Sequence, residues 1–409
     1  GEAGGGDPAR DEGAGGDAEV IPTVTIDDAC DLVTDGTHYT PRDAGHGIPF
    51  LTVKDVTDHE LDFLGCSFIS EDDYEAARNG NSAPERGDIL FSKDGTVGKV
   101  HVVNTDRPFA VLSSLAILRP RRGAVDPDYF GHVLRSPGVL SDAMKRKTGS
   151  ALRRVILADL KKVTIPLPPL PEQLRIAKIL DNADALRAKR RAALAELDTL
   201  TRVIFLDMFG DPARNPKAWP VSRMDDVAEI VSGATPRTDR PEYWNGAVNW
   251  VTPKELSDLQ GISISQTERR ITEAGLRSCA ATVLPVGSVL FSSRAPIGHT
   301  AICGAPMATN QGFKSFIPKP ERLDASYLLL WLRMRRSFLE GLGTGATFKE
   351  VSKAVVSRIE ISVPPIALQK TFADRLRMQE TLSCRGRKAM TLLDEQFTSI
   401  QYRAFRGEL

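Results

Sequence analysis

Two stretches decide the fold: LPPLPEQLRIAKIL, Leu167–Leu180, and VPPIALQKTFADRL, Val363–Leu376. In each, a β-branched run ends on a Pro-Pro pair, which removes a backbone donor and pushes the preceding residue out of the helical region, so a strand has to stop there. Downstream the composition changes. From Glu172 to Phe209 there is neither Gly nor Pro, and Ala, Leu, Arg and Glu dominate until Gly210-Asp211-Pro212. That is one helix, about 57 Å long at ~1.5 Å per residue, longer than a small domain is wide.

Outward from these two points the chain repeats itself, a feature to seek before any site is considered. At a shift of 200 residues, Phe50-Leu51-Thr52-Val53-Lys54-Asp55 matches Trp250-Val251-Thr252-Pro253-Lys254-Glu255, Gly87 to Ser92 matches Gly287 to Ser292, and Gly98 matches Gly298. The shift then contracts to 196, pairing Thr148-Gly149 with Thr344-Gly345, Val155 with Val351, Ile165 with Ile361, Gln173 with Gln369 and Phe209 with Phe405. In the first copy Ile89–Ser92, Gly98–Val103 and Leu115–Leu118 read as short strands, Asp128–Leu134 as a helix, and Leu160–Pro169 as a closing strand.

The first long helix carries a heptad: Ile176, Ala183, Leu197 and Ile204 in one phase, Ile179, Leu186, Ala193 and Leu200 in the other, broken only at Arg190. The second helix supplies Leu382, Ala389, Leu393 and Ile400 at equivalent places, with Gln379 and Gly386 weakening its middle.

Length fits about two domains. Hydrophobic residues make up 41% and no apolar run approaches the ~18 residues of a membrane span, which excludes an α-helical membrane protein. Five scattered cysteines with no C-x-x-C pair form no disulfide framework, and no leader is visible, so a reducing, cytoplasmic setting is expected. The net charge is zero, yet residues 1–31 hold nine acids against Arg10, so the remainder carries +8. Residues 1–18, Gly-rich and acidic, read as a disordered tail.

The duplicated order of these elements resembles the specificity subunit of a type I restriction-modification system, over residues 19 to 409. The matching pieces are the paired strands IPFLTVKDV and VNWVTPKEL, the glycine-led strands RGDILFS and PVGSVLFSSRAPIG, the loops KTGSALRRV and GTGATFKEV, and the proline–glutamine helix starts. The resemblance implies an α+β fold of two similar, β-rich target recognition domains with interspersed helices, 19–170 and 211–366. Each is followed by a long helix, 171–210 and 367–409, the two helices forming an antiparallel coiled coil with pseudo-two-fold symmetry. It also implies binding of double-stranded DNA at an asymmetric bipartite target, with two methyltransferase subunits and the translocase-nuclease restriction subunits as partners. S-adenosylmethionine, ATP and Mg then belong to those partners, and this chain binds no cofactor.

The motifs agree with a non-catalytic part. There is no P-loop, no G-x-G-x-x-G after a strand and no Asn-Pro-Pro-aromatic methyltransferase motif; Asn215-Pro216-Lys217 reads as a turn. Six scattered histidines, read as surface or loop residues, give no metal spacing. DNA contacts require Lys and Arg for phosphates and Arg, Lys, Asn or Gln for base edges. The candidates are Lys93, Lys145, Arg146, Lys147, Arg153 and Arg154 in the first copy, and Arg294, Asn310, Gln311, Lys314 and Lys349 in the second. Arg187, Lys189, Arg190 and Arg191 form a further basic run, expected to face partner subunits or DNA. A recognition module of another defence or modification system, and a coiled-coil protein-binding adaptor, are the alternatives.

Overall fold

The structure, a computed structural model, describes residues 21–57, 60–145, 155–294, 296–345 and 349–409. The acidic stretch 1–18 and the candidates Arg146, Lys147, Arg153 and Arg154 lie outside them. The chain forms two units, residues 1–188 with 392–409, and residues 189–391.

In the first unit a four-stranded antiparallel sheet runs in the order Cys30–Asp35, Leu115–Pro120, Ile89–Ser92, Val100–Val102. Successive side chains of a strand face opposite ways, and here both faces are covered. Ile89 and Phe91 pack with Tyr129, Phe130 and Ile176 on one side, while Leu90 meets Leu51, Val111 and Ile117 on the other. Burial on both faces is why these strands read as unbroken apolar runs. A second sheet joins Ser67–Ile69, Ile48–Leu51 and Ala110–Val111, and Thr23–Thr25 pairs with Thr164–Pro166. The closing strand is shorter than its sequence suggests. Leu157–Leu160 makes a helical turn, with Lys161 and Val163 donating back to Leu157 and Leu160, so only Thr164–Pro166 is extended.

The second unit repeats this plan. A five-stranded sheet runs Ala228–Ser232, Lys314–Pro318, Val289–Phe291, Thr300–Cys303, Ser263–Ile264, and a three-stranded one runs Arg270–Ile271, Trp244–Val251, Met307–Thr309. Val221–Arg223 pairs with Glu360–Ser362, as the first strand of the other unit pairs with its last.

Both long helices, Leu170–Phe209 and Ile366–Ala404, contribute a part to each unit. The Pro-Pro-x-x-x-Gln signature explains how a helix is fixed to its sheets. The Gln173 carboxamide is buried; it donates to the Pro168 and Ala124 carbonyls (2.8 and 2.9 Å) and accepts from the Asp126 backbone N–H (2.9 Å). Gln369 does the same with Pro364, Arg322 and Asp324. Asp126 and Asp324 in turn cap the helices Pro127–Leu134 and Ala325–Met334, whose Tyr129 and Tyr327 hydroxyls donate to Pro166 and Ser362 carbonyls.

Within each unit the two helical parts run antiparallel. In the first, Arg175 lies beside Leu409 and Arg187 beside Asp394; in the second, Gln379 meets Leu197 and Thr201, and Phe372 meets Phe205. The expected seam is half right. Ile176 is buried and Ile179, Ala183, Leu197, Ile204, Ala389, Leu393 and Ile400 are half-buried, but Leu186, Ala193, Leu200 and Leu382 point outward. The inward phase instead runs through Leu180, Arg187, Leu194 and Thr201. Polar groups occupy it: Arg187 is bound by Asp184 and Asp394 and stacked 4.3 Å over Phe397, and the Thr201 hydroxyl donates to Gln379, whose amide donates to the Leu197 carbonyl. A count of apolar residues therefore selects the neighbouring, outward phase. Nor do Gln379 and Gly386 weaken the second helix. It is continuous, and a Cβ on Gly386 would sit 2.6 Å from the Leu194 side chain, so the glycine lets the helices approach.

Among the described residues no helix is long and apolar enough to cross a membrane, and all five cysteines are unpaired. Asn215 begins a turn with a positive φ, and Lys217 there donates to the Asp207 and Met208 carbonyls, closing the first long helix.

Replacing Gln369 by alanine leaves one buried N–H and two carbonyls without partners, at about 1–3 kcal/mol for each unsatisfied group. Chemical denaturation of Gln369→Ala should show the second unit destabilised by about 3 kcal/mol; an unchanged midpoint would remove the clamp from the account.

Candidate nucleic-acid interface

In the second unit Arg294, Asn310, Gln311, Lys314 and Lys349 gather where loops leave the strands, and in the first Lys93 holds the corresponding place. The same backbone bonds build both places. In the second unit Ala234 donates to Thr309, Ser293 to Gly312 and Val351 to Ser293. In the first, Thr37 donates to Val111, Lys93 to Ser114 and Val155 to Lys93. Gly233 and Gly36 are required by close approach: a Cβ would meet the Asn310 carbonyl oxygen at 1.9 Å or that of Val111 at 2.3 Å. These bonds bring together segments far apart in sequence, around 234, 293, 309–312 and 351 in the second unit.

The side chains divide into two groups. Lys93 and Lys314 are buried, contrary to a role on phosphates. The Lys93 ammonium lies 2.5 Å from Asp35, and that of Lys314 lies 3.1 Å from Glu350 and 3.5 Å from the Gln311 carbonyl. Each ties a loop to the sheet beneath it. The other group faces outward: Lys145, Gln311 and Lys349 are exposed, while Arg294 is half-buried in a backbone bridge to Glu350. The Asn310 carboxamide oxygen accepts the Gly312 N–H, which fixes the turn rather than a ligand. Arg187 belongs to the helix seam, so of the basic run only Lys189, Arg190 and Arg191 are exposed.

Several participants carry no local signal in the sequence. The loop 233–240 rests on two indoles, with Trp250 donating to the Ala234 carbonyl and Trp244 to that of Arg237, both at 3.1 Å. Arg269 lies 3.9 Å over the Trp244 ring, and the Thr235 hydroxyl donates to the Gln311 carboxamide oxygen, 76 residues away. Burial and the charge of Arg336 hold His299 below the usual imidazole range. His101 and His132 are buried rather than in loops, the latter 2.8 Å from Asp181 on the long helix. Among the described residues no group of histidine, cysteine and carboxylate side chains could hold a metal ion.

The family model for the type I restriction modification DNA specificity domain matches twice, at residues 21–196 and 216–381. The chain belongs to that family. Its role is therefore recognition, not catalysis. It is 35% identical over 186 residues to the type I restriction enzyme MjaIX specificity subunit of Methanocaldococcus jannaschii, a match spanning 45% of this chain and 43% of that relative. It is 24% identical over 361 residues to the putative MjaX specificity subunit of the same organism, 82% of this chain and 81% of the relative. A type I restriction-modification S subunit from M. genitalium has a similar fold, with a TM-score of 0.57 at 13% identity, covering 95% of this chain and 96% of the other. A chain from a type I system, solved in a study of its complex assembly, also gives 0.57, at 19% identity, covering 96% and 99%. The family match spans both units, as the internal repeat requires.

Because Lys93 sits in a buried pair, Lys93→Ala should cost about 3 kcal/mol or more of stability by leaving Asp35 uncompensated, and Lys93→Met with Asp35→Leu should recover most of it. Thermal melts decide this. A Lys93→Ala protein of full stability that has lost DNA affinity would return Lys93 to the contact surface.

Proposed function

We propose that this chain is the DNA-recognition subunit of a type I restriction-modification enzyme, reading a bipartite target of two unlike half-sites, one with each unit. The observation that carries this is the shared loop scaffold with different side chains on it. His38, Thr40 and Ser113 stand in the first unit where Thr235, Arg237 and Gln311 stand in the second. Identical backbone bonds present the readers alike, and unlike readers select unlike bases. In this reading the exposed Lys145 and Lys349 contact phosphates, which position a protein on the duplex without reading it.

The outward face of the helices supports the partner role. In the second unit Leu200, Val203, Met378 and Leu382 are each 44–71% exposed there. Apolar side chains left in such a stripe suit a protein partner better than water. In this reading two methyltransferase subunits dock on it and restriction subunits join them, bringing S-adenosylmethionine, ATP and Mg, and the assembly works in the cytoplasm.

Two measurements test the proposal. Selection from a random duplex library should return one asymmetric motif with unread bases between two half-sites, with affinity falling steeply as salt rises; a binder indifferent to sequence would overturn the reading. Met378→Glu with Leu382→Glu should leave that motif and the melting temperature unchanged but abolish co-purification with the methyltransferase subunit. Retention of the partner would move the docking face elsewhere.

A further inference from the structure

We propose that Gln311 reads an adenine in the half-site of the second unit, through a bidentate contact to adenine N6 and N7 in the major groove, and that Thr235 is its positioning residue. The proposal rests on the DNA-recognition reading above and adds the base and the mode of contact. A carboxamide presents one acceptor beside one donor, matching the N6 amino group and N7 of adenine. Its discrimination depends on the amide plane being held, since a free glutamine side chain has to give up rotamer freedom on binding.

Gln311 is held from three directions. The Thr235 hydroxyl donates to its Oε1, leaving that oxygen a second lone pair for an adenine amino group while Nε2 remains a donor for N7. The Lys314 ammonium, itself anchored on Glu350, reaches the Gln311 carbonyl at 3.5 Å. The Asn310 side chain closes the turn onto the Gly312 N–H at 2.9 Å. Thr235 is fixed in turn, because its neighbours Ala234 and Arg237 accept the two indole N–H bonds, and Ala234 also donates to Thr309. Yet the carboxamide these groups orient is exposed. An exposed carboxamide on an anchored backbone, bonded to a half-buried threonine, is the arrangement a reading residue needs. Where the first unit carries the equivalent turn, between Leu112 and Ser114, the residue is Ser113, which has no amide, so this readout is confined to one half-site.

Library selection with the full chain and four variants tests this. Gln311→Ala should flatten the preference at one A·T position by about 5- to 150-fold and leave every other position intact. Gln311→Glu, which can only accept, should move that position towards cytosine, whose N4 amino group donates. Thr235→Val should weaken the same position and Thr235→Ser should restore it. Unchanged preferences in both Gln311 variants, or an equal loss at all positions, would overturn the assignment to Gln311; an unaltered Thr235→Val motif would overturn the positioning role. If the wild-type chain itself selects no motif, the functional reading fails first and carries this assignment with it.

Discussion

The carboxamide of a single buried glutamine at the start of each long helix holds the architecture together. Gln173 and Gln369 each close three backbone bonds at once, to the Pro-Pro segment that ends the last strand and to the turn that caps a core helix. A buried polar group is tolerated only when all its partners are present, so this clamp admits a single angle between sheet and helix. The tyrosine bonds of Tyr129 and Tyr327 lie in the same corner and reinforce that angle. Everything farther along depends on it, including which faces of the helices turn inward.

Much of this was legible in the sequence because it was written twice. The Pro-Pro-x-x-x-Gln starts, the glycine-led strands and the spacing of the copies locate both units and both helices, and Leu170–Phe209 begins only two residues before the expected Glu172. What failed had a common cause. Hydropathy cannot see a polar residue that is buried with partners, so Arg187 and Thr201 carry no signal as seam positions and their apolar neighbours Leu186 and Leu200 fit the heptad instead. The same blindness placed Lys93 and Lys314 on the DNA-facing surface, although each ammonium is neutralised beneath the loops by a carboxylate.

Recognition loops face conflicting demands: their ends have to vary in sequence while their backbones stay in place. The structure separates the tasks. Backbone-to-backbone bonds and glycine approaches shared by the two units hold the loop frame, and the outward side chains on it differ between them. Exchanging those side chains leaves the frame undisturbed, which is the physical condition for a scaffold whose specificity can change without loss of its fold.

The division of the chain into 1–188 with 392–409, against 189–391, also sets an order of events during synthesis. Phe397, Ile400, Ala404 and Phe405 pack into the core of the first unit, and Gln401 donates to the His132 carbonyl there. Those residues leave the ribosome after the whole of the second unit. The unit made first is thus the one completed last, waiting with the apolar edge of its core open while some two hundred residues are added. Its exposure to proteases and chaperones during translation follows from where the second helix ends, not from any weakness in its own sheets.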